Sequence, residues 1–329
     1  MKRAATLLIS LIIAVGAVTA CGSSGGSQEN PQKNEKISIV ATAFPEYDWT
    51  REIVGEKTDV ADISMLLDNN VDLHSYQPTA DDIIRISTCD LFICIGGESD
   101  RWVEDALKNA SNNGMKVIRL LDVLGDSVKE EELVEGLEAA SEEEENEDEE
   151  VERDEHVWLS LKNAQVLCGA IADALRELDP DNGDTYAANA SAYIQRLSAL
   201  DEEYRSAVDG AARKTLLFGD RFPFRYLADD YGLTYYAAFV GCSAETEASF
   251  ETVSFLARKV DELDLPCVLT IEGARHRIAE TVVENTAEKN QKVLTLNSMQ
   301  SVTASDAEGG TTYLSIMENN LAVLRDALN

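Results

Sequence analysis

From residue 37 onward the chain alternates two hydrophobic patterns. Short runs of continuous apolar, often β-branched residues recur at 37–42 (ISIVAT), 90–96 (DLFICIG), 116–121 (KVIRLL), 215–219 (TLLFG), 233–239 (LTYYAAF), 267–273 (CVLTIEG) and 292–296 (KVLTL). Unbroken apolar character over so few residues marks strands buried on both faces. Between most of these runs the apolar positions recur every three to four residues, the signature of amphipathic helices. Such alternation predicts an α/β fold, with mostly parallel sheets and flanking helical crossovers. The runs fall into two groups, one ending before residue 125 and one beginning near Lys214, so the pattern predicts two lobes, 37–180 and 213–329. Between them Tyr186, Ala190, Tyr193, Leu197, Leu200 and Tyr204 are spaced by four, three, four, three and four, which predicts one long rigid connecting helix over 181–212. The segment 128–155 breaks the pattern: it contains EEEENEDEE and too few apolar groups to offset the entropy of ordering it, so it reads as a mobile acidic loop.

Composition narrows the function. A chain of 329 residues with 44% apolar content buries a full core and has the length of about two domains. Its formal charge of −33 repels phosphate backbones and attracts cations, which argues against nucleic acid as a partner. At the N-terminus, Met1, Lys2 and Arg3 precede an apolar stretch too short to span a bilayer comfortably, the layout of an export signal over 1–20. Its last residues, VTAC, resemble the bacterial lipobox, in which the cysteine after the cut, here Cys21, is lipidated. The following 21–36 is Gly/Ser-rich and polar, a flexible tether for a domain anchored to the outer face of the cell membrane.

Candidate chemistry rests on few residues. Of six cysteines, Cys89, Cys94, Cys168, Cys242 and Cys267 show no paired metal spacing, and an odd count of five leaves at least one thiol without an internal partner. Most sit in apolar runs as small buried residues, while a Cys242 to Cys267 disulfide is an alternative that export permits. There are only three histidines. His74 follows the strand-like ISMLL and precedes Thr79-x-x-Asp82, a helix start with a capping residue and an acid three later. It therefore lies where open α/β sheets bind ligands, beyond the carboxyl ends of strands. His156 sits where the acidic segment meets Val-Trp-Leu, again just before a helix, over 160–175.

These residues resemble a known family, the substrate-binding lipoproteins of bacterial ABC importers for zinc and manganese. VDLHSYQPTADDI is similar to the family's His-Ser-Tyr-x-Pro-Thr segment, GGESDRWVEDAL to its Gly-to-Trp turn, and DEHVWLSLKNA to its Asp-Pro-His-Val-Trp-Leu-Ser motif. RYLADDYGL, SAETEAS and GGTTYLSIMENNL fall in the same order downstream. The resemblance implies a metal held in the cleft between the lobes, with His74 and His156 as ligands, and delivery to a permease and ATPase by a monomeric receptor that is not an enzyme. It also exposes departures. Where the family carries its third ligand this chain has Arg221, which cannot bind a cation, and where it carries its fourth there is Asn297, with only a neutral oxygen. Asp220 and Glu272 are the expected replacements, Arg221 and Asn297 the expected supporting residues, and His276 the weaker substitute. Two imidazoles with carboxylates suit zinc, with manganese as the alternative cargo. Two other classes remain open on the residues alone. A zinc hydrolase would need an open coordination position with a general base beside it, and an adhesin-like lipoprotein would keep the lobes around a degraded site.

Overall fold

The computed structural model describes residues 36–56, 59–68, 73–132, 134–135, 153–243, 247–273 and 276–329. The export signal, Cys21, nearly all of the tether and most of the acidic segment lie outside the described residues. The first lobe is built from β1 (Ile37–Ala41), α1 (Phe44–Val54), β2 (Ala61–Met65), α2 (Ala80–Thr88), β3 (Leu91–Cys94), α3 (Arg101–Lys108), β4 (Lys116–Arg119) and α4 (Leu120–Leu124). Next come α5 (Leu161–Leu178) and the long α6 (Gly183–Asp209). The second lobe follows with β5 (Thr215–Phe222), α7 (Arg225–Tyr231), β6 (Thr234–Val240), α8 (Phe250–Leu263), β7 (Cys267–Ile271), α9 (Arg277–Glu284), β8 (Lys292–Leu296), α10 (Ala304–Glu308) and α11 (Tyr313–Leu328).

Each lobe holds a four-stranded sheet, ordered β2-β1-β3-β4 and β6-β5-β7-β8, and every pairing is parallel. All residues of β3 and of β7 are buried, as continuous apolar runs require when helices cover both faces of a sheet. In both sheets the chain leaves the first strand to one side and returns on the other, so the strand order reverses between β1 and β3 and between β5 and β7. That reversal opens a crevice beyond the carboxyl ends of the strands, and the loops that carry His74, Ser99 and Cys242 all follow strands there.

The connecting helix α6 is 27 residues long, about 40 Å at 1.5 Å per residue. It buries Tyr186, Ala190, Tyr193, Leu197, Leu200 and Tyr204, the stripe its spacing predicts, and packs against α1, α5 and α11. Burying each such leucine contributes roughly 1.5–3 kcal/mol. One apolar cluster runs through both lobes, from Ile39 and Phe92 to Phe218, Leu296 and Tyr313. Polar groups reinforce it: the Tyr313 hydroxyl donates to the Trp158 carbonyl at 2.7 Å, the Tyr313 N–H to Asp48 at 2.8 Å, and the Trp158 indole N–H to the Ser298 carbonyl at 2.9 Å. The last helix of the second lobe is thus fastened to the first helix of the first.

The acidic segment is anchored at both ends, which its composition does not reveal. Asp154 N–H donates to the Lys129 carbonyl at 2.9 Å, Glu130 bridges Arg153, and the Tyr226 hydroxyl holds both stems, accepting from Lys129 N–H at 3.0 Å and donating to the Asp154 carbonyl at 2.8 Å. Residues 128–132 and 153–155 therefore belong to the folded body, because a buried tyrosine of the second lobe supplies the contacts their own side chains lack.

Glu46 and Asp48 on α1 and Asp100 after β3 are buried in the first lobe. Glu46 is fully buried, its Oε1 accepts from the Thr42 hydroxyl at 3.2 Å, and its Oε2 has no hydrogen-bond partner among the described residues. Burial raises its carboxyl from 4.5 to about 8, and it raises those of Asp48 and Asp100 to about 6. The folded state holds the Glu46 proton that the unfolded chain releases near pH 4.5, so stability falls as pH rises from there to about 8. Thermal melts from pH 5 to 9 should show this decline in the parent chain and a flatter profile in Glu46→Gln above about pH 7, where Asp48 and Asp100 have largely finished titrating. Equal slopes in the two proteins would mean that Glu46 is ionised in the folded state.

Candidate metal centre

The loop after β2 carries His74 on a short turn, Leu73–Ser75, and the helix that follows it is firmly started. Thr79 and Asp82 form the reciprocal cap the spacing predicts, the Asp82 N–H donating to the Thr79 hydroxyl at 3.2 Å and the Thr79 N–H to the Asp82 carboxylate at 2.9 Å. The Tyr76 hydroxyl donates to the same carboxylate at 2.9 Å, tying the His74 loop to the cap.

His74 is oriented by a relay. Its Nδ1 lies 2.7 Å from the Ser99 hydroxyl, which is 2.5 Å from Glu155 Oε2, while the Ser99 N–H donates to Glu155 Oε1 at 2.8 Å. A serine hydroxyl has one proton, and an ionised carboxylate only accepts. The Ser99 proton therefore goes to Glu155, Ser99 accepts from His74 Nδ1–H, and the His74 Nε2 keeps its lone pair. The relay needs a glycine, because a Cβ at Gly97 would lie 2.1 Å from Glu155 Oε1.

His156 reaches the same state by a direct route. It is fully buried, its Nδ1 lies 2.9 Å from Asp154 Oδ1, and the same oxygen accepts the His156 backbone N–H at 2.8 Å. The carboxylate fixes the proton on Nδ1, leaving the Nε2 lone pair exposed to the cleft. That atom is 3.4 Å from His74 Nε2. Two lone pairs thus face each other, an arrangement that only a shared proton or cation makes favourable. Two nitrogens bound at 2.0–2.1 Å to one tetrahedral zinc lie roughly 3.3–3.4 Å apart.

The opposite wall belongs to the second lobe. The turn after β6 passes so close to His156 that a Cβ on Gly241 would lie 3.2 Å from the ring and 2.9 Å from the Phe222 carbonyl oxygen. The next residue, Cys242, places its Sγ and one ring nitrogen from each of His74 and His156 within 4.8 Å of one another. Its N–H donates to Glu131 Oε1 at 3.0 Å, and the Arg221 guanidinium donates to the neighbouring Ser243 carbonyl at 3.2 Å. Burial and the nearby Glu131 and Asp154 raise the Cys242 thiol far above its ordinary range, and burial also raises Glu131 and Glu155.

The expected carboxylates do not join this cluster. Asp220 Oδ2 accepts from the Thr270 hydroxyl at 2.7 Å and its Oδ1 from the Arg221 N–H at 2.9 Å. Glu272 accepts from Ser298 N–H at 2.6 Å, the Ser298 hydroxyl at 2.8 Å and Gln300 N–H at 3.0 Å, so its oxygens hold the loop after β8. Asn297 is equally committed, its Oδ1 accepting from Met299 N–H at 2.7 Å and its backbone pairing with the Asn320 amide. His276 Nδ1 lies 3.0 Å from the Thr270 hydroxyl, on the Asp220 side and outside the cluster. Arg221 braces the Cys242 turn by donating to the Ser243 carbonyl. The disulfide alternative also falls: Cys242 and Cys267 are both free thiols, the latter buried in β7. Sequence reasoning missed Ser99, Glu131 and Cys242, whereas Asp154 and Glu155 stand visibly beside His156 in DEHVWLS.

A family model described as "Zinc-uptake complex component A periplasmic" matches residues 39–327. The chain is 30% identical over 314 residues to the high-affinity zinc uptake system protein ZnuA of Bacillus subtilis, covering 94% of this chain and 93% of that one. It is also 30% identical over 331 residues to the zinc-binding lipoprotein AdcA of Streptococcus pneumoniae, covering 99% of this chain but spanning only 61% of that protein. The crystal structure of the Zn(II)-bound ZnuA-like domain of S. pneumoniae AdcA superposes with a TM-score of 0.69 at 29% identity, covering 89% of this chain and 99% of that one.

The relay makes Ser99 a sensitive point. Ser99→Ala removes the acceptor of His74 Nδ1–H and the hydroxyl donor to the buried Glu155 carboxylate, which keeps only the backbone N–H, so zinc affinity measured by chelator competition should fall roughly 10- to 100-fold, the usual cost of losing a group that orients a metal-bound histidine. Unchanged affinity would mean that the Ser99 contact does not set the His74 orientation.

Proposed function

Because the chain belongs to the zinc-uptake complex component A family, we propose that it is an extracytoplasmic receptor that captures zinc and hands it to an ABC importer. The observation that carries this reading is the pair of imidazole Nε2 atoms 3.4 Å apart, each with its other ring nitrogen held by a fixed acceptor. Neutral imidazoles suit zinc, whereas calcium and magnesium prefer oxygen throughout. His74 and His156 are the metal donors. Asp220, Glu272 and Asn297 shape the second-lobe wall through their hydrogen bonds, and Arg221 braces the turn beside the site.

The rest of the reading follows from charge and topology. The apolar leader over 1–20 exports the chain, and a lipid on Cys21 keeps the receptor on the outer face of the cell membrane next to the importer's permease and ATPase. The receptor works as a monomer and releases its cargo chemically unchanged, so it is a carrier and not an enzyme. An ion held by His74 and His156 against the Gly241–Cys242 turn bridges parts of both lobes and favours the arrangement in which they meet. The shared apolar core limits this adjustment to the walls of the cleft, and the importer distinguishes loaded from empty receptor by that change. The acidic segment raises the local cation concentration around the receptor.

In the mature chain without its lipid, stripped of metal, His74→Ala and His156→Ala should each lose zinc affinity on the order of 100-fold or more, since each removes a direct donor where even an orienting group is worth 10- to 100-fold. Circular dichroism should show both variants folded. Parent-like zinc affinity in both would remove the proposed site, and tighter binding of manganese than zinc by the parent chain would reassign the cargo.

A further inference from the structure

The ion needs a donor from the second lobe. His74 and His156 both precede the connecting helix, and the acidic and amide residues expected from the far wall are engaged in hydrogen bonds of their own. Among the described residues, the group of metal-binding side chains at the cleft is His74, His156 and Cys242. Zinc–sulfur and zinc–nitrogen bonds of about 2.3 Å and 2.0–2.1 Å at the tetrahedral angle place sulfur and nitrogen roughly 3.6 Å apart, well inside the 4.8 Å that bounds the cluster.

The turn around Cys242 is built to hold that position. Gly241 lets the backbone lie against the His156 ring, the Ser243 N–H donates to the Val240 carbonyl at 3.2 Å, Arg221 clamps the Ser243 carbonyl at 3.2 Å, and Glu131 takes the Cys242 N–H at 3.0 Å. The chain is thus fixed on both sides of the sulfur and from both lobes, since Glu131 arrives from the stem of the acidic segment. Arg221, unable to bind a cation, stands where it stabilises the residue that can.

We propose that Cys242 binds the ion as a thiolate, giving a His74–His156–Cys242 centre with one remaining position for water. This deepens the receptor reading above and rests on it. On binding, the Sγ–H bond breaks, its proton passes to solvent, and the sulfur lone pair forms the bond to the metal. Neither partner is oxidised or reduced. A thiolate is a soft donor that suits zinc and disfavours manganese, magnesium and calcium, so the cysteine carries the choice of cargo that a carboxylate in its place would relax. It also makes the receptor vulnerable to oxidants, because a sulfenic or disulfide sulfur no longer binds as thiolate.

Cobalt(II) decides the matter, since it occupies zinc sites and reports thiolate ligation by an intense sulfur-to-metal absorption in the near ultraviolet. The mature chain without its lipid, loaded with one equivalent of cobalt, should show that band. Cys242→Ser should abolish it, lower zinc affinity at least 10-fold, as losing a group at the metal does, and narrow the preference for zinc over manganese. Cys267→Ser should keep the band. A cobalt-loaded parent chain without the band overturns the proposal whatever the variants do, as does a folded Cys242→Ser with unchanged zinc affinity, and both outcomes leave the receptor reading standing. Failure of the parent chain to bind either metal overturns both.

Discussion

Two imidazole nitrogens with their lone pairs facing each other at 3.4 Å are the constraint around which the cleft is organised. Each histidine by itself would turn its proton toward the other. Asp154 prevents this directly for His156, and Glu155 prevents it through Ser99 for His74. Two adjacent acids thus fix two rings that stand 82 residues apart in sequence. The repulsion is tolerated only because both acids are buried and held by backbone and hydroxyl donors, which is also why their short loop is among the most firmly packed parts of the chain.

The scaffold around this pair is stiff. A single apolar cluster crosses from one sheet to the other, α6 spans both lobes, and Tyr313 and Trp158 fasten the second lobe to the first beside His156. Large opening would break these contacts together, since packed cores switch between discrete arrangements and do not deform continuously.

Electrostatics give the cleft its selectivity for cations before any contact is made. Glu131, Asp154 and Glu155 surround two imidazoles and a thiol, and the chain as a whole carries −33. Buried deeper, Glu46 escapes the cost of an unpaired charge by keeping its proton to about pH 8. Donors at the site oppose this effect, since the Ser99 hydroxyl and N–H favour the charged form of Glu155 and the Cys242 N–H that of Glu131, although burial still raises both carboxyls.

How much of this was legible along the chain depends on the range of the interaction involved. Continuous apolar runs predicted both parallel sheets, the three-and-four spacing from Tyr186 to Tyr204 predicted the connecting helix, and Thr79-x-x-Asp82 predicted the cap behind His74, because burial pattern and capping are settled within a few residues. The two histidines could be singled out for the same reason, each standing shortly before a helix with its acids or its cap adjacent. The far wall could not. Asp220 and Glu272 carry the right chemistry at the right strand ends, yet Thr270, Ser298 and Gln300 claim their oxygens. Cys242 has no spacing partner in the sequence, and it meets His74 and His156 only because β6 ends where Gly241 can lie on an imidazole ring. Which donors reach one point in space is decided by packing between lobes, and that information exists only once the chain has folded.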